Sequence, residues 1–354
     1  DKALAYYEKA HEIDPSNPYY IVSMANYYDA KGDKEAAEQQ IRSALVNPKL
    51  DVETKVGVLS RYISRLQQTK QGTETANKLF DTLLEQHPEE VDLKLMYGSL
   101  LQMQGKLEEA KFQYQLVTEM EPGNAGAWQS LLNLALKGED IPEVIRICTA
   151  CMELFPNSPE YYFYLGIAYY QQEKYQEALD TYYAGVAIIP QENLGLKSDF
   201  YGQIGDIYYQ MDRLPDAYKA YDEALKYNDK NVVVLNNYSY FLSLEKRDLK
   251  KAERMSGLCI KLEPDNATYL DTYAWIFFVQ GNYTLAKIYI ESALEKDTTN
   301  SAELVDHYGD ILFMCGEKEK AVEQWKRAKE LGKSTEVLDQ KIERQEYIED
   351  KEAK

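Results

Sequence analysis

Positive charge is in short supply in this sequence relative to negative. The 354 residues carry 40 Lys and Arg against 59 Asp and Glu, a formal net charge of -19. Nucleic-acid binding draws most of its affinity from basic side chains meeting phosphates, so a chain this acidic argues against that class. An anionic membrane surface is disfavoured for the same reason. No run of about 18 apolar residues exists, which removes a transmembrane helix. No signal-peptide pattern is visible, and the compartment stays open between bacterial cytoplasm and periplasm.

Cysteine and histidine are scarcer still. Four cysteines do not make a disulfide framework, and Cys148 and Cys151 form the one C-x-x-C. Both fall mid-helix on a buried stripe, whereas a reactive pair sits at a helix N-terminus that stabilises the thiolate. Cys259 and Cys315 also lie on inward stripes, and no second pair completes zinc spacing. His11, His87 and His307 are far apart. His307 has Asp306 and Asp310 beside it, a group that reads as a solvated acidic face before it reads as a metal site. Phosphate-cradling glycine loops and G-x-S-x-G are missing. The reading is therefore not an enzyme, with no cofactor and no metal.

What is abundant is repetition. Hydrophobic residues make up 45% of the chain and Tyr alone numbers 31. Over 159–192, Tyr162, Leu165, Gly166 and Tyr169 recur at the spacing of one helix face, and Ala178, Tyr182 and Gly185 do so in a second helix before Pro190 ends it. The small residue of the second helix returns as Ala37, Ala76, Ala110, Val144, Ala178, Ala217, Ala252, Ala286 and Ala321, at intervals of 34 to 39 residues. That of the first helix returns as Ala25, Ser64, Gly98, Leu132, Gly166, Gly205, Ser239, Ala274 and Gly309. Small residues let two helix axes approach closely. Pro15, Pro48, Pro88, Pro122, Pro156, Pro190 and Pro264 close second helices.

These residues at these spacings resemble the tetratricopeptide repeat, and the phrases at 236–253 and 269–283 are similar to paired repeats in large bacterial proteins of that family. The resemblance implies an all-α, right-handed superhelical solenoid of stacked antiparallel helix pairs. Residues 1–17 match the second helix of an incomplete repeat, which predicts that the natural protein extends further N-terminally. Nine repeats in one continuous solenoid are expected over 18–333, then a C-terminal capping helix and charged, solvated tail over 334–354. Within this frame, 51–70 reads as a longer first helix, Gln71-Gly72 as its turn, and 193–197, with Gly195, as an inserted surface loop. Ser334 or Thr335 can cap the last helix, with Val337, Leu338, Lys341, Ile342 and Gln345 facing inward.

The resemblance also implies that first helices line a groove for a peptide or partner protein. The residues placed there are Asn133, Phe163, Tyr170, Asp206, Tyr209, Asn236, Tyr240, Asp271, Trp275, Phe278, Asp306 and Asp310, with Asn26, Arg61, Arg65, Gln129 and Phe313 beside them. Aromatic anchors flanked by carboxylates suit a partner segment with basic and aromatic residues. The carboxylate clamp by which some family members hold chaperone tails needs lysines. Val22 with Asn26, Leu95 with Ser99 and Gln129 with Asn133 stand there instead, so such tails are not expected to bind. The reading is a non-catalytic interaction scaffold. Its alternatives are a self-associating structural solenoid, or one part of a larger enzyme or regulator.

Overall fold

Sixteen residues separate each small residue of a first helix from the side chain it admits. A Cβ added to Gly98 would stand 2.6 Å from the Tyr114 ring, at Gly166 2.5 Å from Tyr182, at Gly205 2.5 Å from Tyr221, and at Gly309 2.5 Å from Trp325. Glycine is thus required where the second helix presents a large ring. Where the first helix spends more volume, the partner at the same offset shrinks. Ala274 faces Ile290, and Leu132 is matched by Cys148, with all four fully buried. The pair volume is held while its division changes, as close packing demands. This explains Cys148 as filler, and burial raises its thiol to about 12.

The computed structural model describes residues 2–69 and 73–349, with the side chains of 65–75 outside that description. The expected turn at Gln71-Gly72, the side chain of Arg65 and residues 350–354 therefore lie outside it. Twenty helices and no strand occur among the described residues, so the chain is an all-α solenoid of helix pairs. It divides into two compact units, 1–156 and 157–354. The first holds α1 (Lys2–Ile13), α2 (Tyr19–Lys31), α3 (Lys34–Val46), α4 (Val52–Thr69), α5 (Thr73–Gln86), α6 (Val91–Met103), α7 (Leu107–Met120), α8 (Ala125–Lys137) and α9 (Ile141–Leu154). The second holds α10 (Pro159–Gln171), α11 (Tyr175–Ile188), α12 (Leu194–Gln210), α13 (Leu214–Tyr227), α14 (Val232–Leu244), α15 (Leu249–Leu262), α16 (Ala267–Val279), α17 (Tyr283–Lys296), α18 (Ala302–Met314), α19 (Lys318–Glu330) and α20 (Glu336–Arg344).

Turn chemistry sets the helix ends. Most turns inside a repeat carry a left-handed residue: Gly32, Gly105, Gly281 and Gly316, or Glu139, Glu173 and Asp212. Side-chain caps open many of the helices. Asn124, Asn231, Asn266 and Ser301 each accept a backbone N–H from the first turn. One expectation is corrected here. The insertion at 193–197 is not a loop, because Asn193 accepts from the Leu196 N–H at 3.3 Å and starts α12 early. The extra residues lengthen α12 to 17 residues, where other first helices of this unit have 13.

Within the second unit, each helix pair packs internally and against the next pair. First helices also touch first helices: α12 meets α14, α14 meets α16 and α16 meets α18. They therefore form the crowded inner side of this unit. Stripes at i, i+4 and i+7 along α14, α16 and α18 share one face.

Candidate partner-binding face

On α14 this face presents Asn236 and Tyr240; on α16, Asp271, Trp275 and Phe278; on α18, Asp306, His307 and Asp310. Trp275 is the hub. Its ring stacks on Phe278 at 4.7 Å and on His307 of the next repeat at 4.3 Å. His307 Nδ1 bonds Asp271 at 2.9 Å, and its Nε2 lies 3.4 Å from Glu303. Burial alone would depress the imidazole, but Asp271 and Glu303 overrule it and hold the group at about 9. At neutral pH the ring is an imidazolium clamped between α16 and α18. Buried Nε1 of Trp275 and Oδ1 of Asn236 make no hydrogen bond.

Asp306 and Asp310 are not the solvated face their sequence suggests. They are 4% and 2% exposed. Lys333 meets Asp306 at 2.7 Å, while Lys341 of α20 meets Asp306 at 3.1 Å and Asp310 at 2.8 Å. The Trp325 indole N–H also donates to Asp310 at 2.9 Å. Burial raises the Asp310 carboxyl to about 6 against the pull of Lys341. For Asp306 burial raises and the two lysines lower, and the lysines prevail. The acids expected to select a basic ligand are thus already committed to the chain's own cations.

Other residues placed in the groove make contacts within the chain as well. Tyr209 is 2% exposed, with its ring stacked on Phe241 at 3.8 Å. Phe163 packs on Phe200 at 5.2 Å and Tyr182 at 6.0 Å, and Tyr170 on Tyr175 at 5.8 Å. Asp206 accepts from the Tyr221 hydroxyl at 2.6 Å and from Asn237 at 3.2 Å, and burial raises it to about 6 despite both bonds. Phe313 lies against Trp325 at 5.8 Å. In the first unit, Asn133 accepts from Gln129 at 3.2 Å, and Asn26 accepts from Arg61 at 3.0 Å.

Two cavities adjoin on the α14–α16–α18 face. One, of about 240 Å³, is bounded by Tyr240, Trp275, Phe278, Lys246 and Tyr347. The other, of about 530 Å³, lies against Asn236, Thr268, Asp271 and Glu303. Tyr240 and His307 line both. Sequence reasoning missed His307, Lys246 and Tyr347. The tail beyond α20 was expected to be solvated, yet Tyr347 sets its ring edge against Phe278 at 5.6 Å. No group of three His, Cys, Asp or Glu side chains is arranged to hold a metal among the described residues. None of the described helices is long and apolar enough to cross a membrane.

Models of the tetratricopeptide repeat match residues 73–134, 152–193 and 198–231. The chain is a tetratricopeptide repeat protein. Among solved structures, it is similar to a tetratricopeptide repeat protein from Parabacteroides merdae ATCC 43184, at 19% identity and a TM-score of 0.56, covering 72% of this chain and 98% of that one. The APC/C hetero-tetramer Cut9–Hcn1 aligns at 12% identity and a TM-score of 0.58, over 96% of this chain and 71% of the other. Yeast Tom70 aligns at 15% identity and a TM-score of 0.52, over 96% and 90%. At such identities the likeness is one of fold. No curated protein matches.

Proposed function

We propose that this tetratricopeptide repeat protein is an interaction scaffold that docks a peptide or partner-protein segment on the α14–α16–α18 face. The observation that carries the reading is the pair of adjoining cavities sharing Tyr240 and His307. An aromatic floor with a few convergent polar atoms is what an extended segment needs: rings give anchoring area, and the exposed Thr268 at the edge of the larger cavity offers a hydroxyl. The Cut9–Hcn1 structure, a similar fold in a hetero-tetramer, is consistent with such a role.

The test is selection of 12-residue peptides from a displayed library on the intact chain. Selected peptides should bind at micromolar strength, and Tyr240→Ala with Thr268→Ala, the latter an exposed residue of the larger cavity, should weaken them at least tenfold without altering helix content. Binders indifferent to both substitutions would refute this location. A self-associating solenoid, the second reading, predicts instead a mass that rises with concentration in light scattering.

A further inference from the structure

The C-terminal end of the described chain behaves as two different things. Helix α20 is fixed: Thr335 caps it, Leu338 is 1% exposed, and Lys341 is buried between Asp306 and Asp310. After it, Gln345 takes a left-handed φ of 52° and turns the chain back across the face. Residues 346–349 have no helix to hold them. Tyr347 lies edge-on to Phe278, and Glu349 pairs with Lys246 in the turn after α14. Both partners of that ion pair are largely exposed, at 60% and 46%. A surface pair of this kind holds little. Tyr347 adds side-chain contacts alone, its half-buried ring edge-on to Phe278 with the Lys341 ammonium 5.8 Å from its centroid.

Resting on the reading above, we infer that Tyr347-Ile348-Glu349 is a built-in, displaceable ligand of this face. A partner's docking segment would carry the same chemistry: an aromatic followed two residues later by a carboxylate. The geometry supports each half of that motif. Tyr347 rests against Phe278 in a cavity also bounded by Trp275, Val279 and Tyr283. Lys246 is the cation placed to receive a carboxylate, since Lys333 and Lys341 are taken up by Asp306 and Asp310. The remaining carboxylates nearby are held too, Asp271 by His307 and Glu303 by Lys333. An incoming segment must therefore displace a weak occupant, which sets a threshold for binding and favours segments that outmatch Tyr347.

The probe is a fluorescein-labelled peptide of residues 344–349, titrated by polarisation against the full chain. The Tyr347→Ala, Glu349→Ala chain should bind it about tenfold more tightly than wild type, because the internal competitor is gone. Lys246→Glu, an exposed substitution that leaves the core alone, should weaken the peptide several-fold in that background. A peptide with Lys in place of its last residue should recover binding to the Lys246→Glu chain. Equal binding to wild type and double variant, no binding to either, or indifference to Lys246→Glu would overturn the inference. Library peptides that still bind through Tyr240 and Thr268 would then leave the docking face standing without its internal ligand.

Discussion

Lys341 of α20 donates to Asp310 of α18 at 2.8 Å, with side chains only 4% and 3% exposed. Taking either charge out of water alone is costly, so removing one partner of such a pair costs roughly 3–5 kcal/mol. Lys341→Met should therefore destabilise the second unit by about that amount, read from urea unfolding followed by tryptophan fluorescence. Adding Asp310→Asn should recover part of the loss. If Lys341→Met falls within about 1 kcal/mol of wild type, the pair does not hold α20 in place.

Glycine against ring gives a second prediction. Gly166→Ala and Gly309→Ala each push a methyl to 2.5 Å from Tyr182 and Trp325. Overpacking a filled core costs roughly 1–3 kcal/mol. Gly126→Ala meets only Asn124 Oδ1 at 3.5 Å, on an exposed first turn. It should be neutral or gain up to about 1 kcal/mol from helix propensity. Thermal unfolding of the three variants separates the cases, and equal losses would contradict the packing account.

His307 supplies the pH dependence. Its folded value, about 9, lies above the ordinary 6.5, because Asp271 and Glu303 outweigh burial. A raised value means that the folded state holds its proton more tightly. The contribution is complete below about pH 6.5 and is lost as pH rises through about 9, up to about 3 kcal/mol over the window. Urea midpoints should fall between pH 6.5 and 9.5, and His307→Gln should flatten that slope. A flat wild-type profile would mean that the imidazolium is not clamped between α16 and α18.

The helix pairs were legible because sterics wrote them in residues of the same helix pair. A small residue and its ring stand sixteen positions apart, so Gly205 and Tyr221 announce each other. The face was less legible because it depends on side chains from distant repeats. Asp306 and Asp310 read as solvated because their partners Lys333 and Lys341 lie 27 to 35 positions away, and an inward-facing Lys341 on the capping helix did not by itself reveal which carboxylates it meets. Tyr209 read as groove-lining because helix phase cannot reveal that Phe241 covers it. The insertion at 193–197 read as a loop because Gly195 outweighed Asn193, whose capping bond decided the matter.

The most direct test of the docking face is a photo-crosslinking map. A library-selected peptide carrying a benzophenone is irradiated with the intact chain, and the adducts are located by mass spectrometry. Adducts on α14, α16 and α18, concentrated at Tyr240, Thr268 and Trp275, are the predicted result. Adducts confined to the second helices α15, α17 and α19 would contradict it.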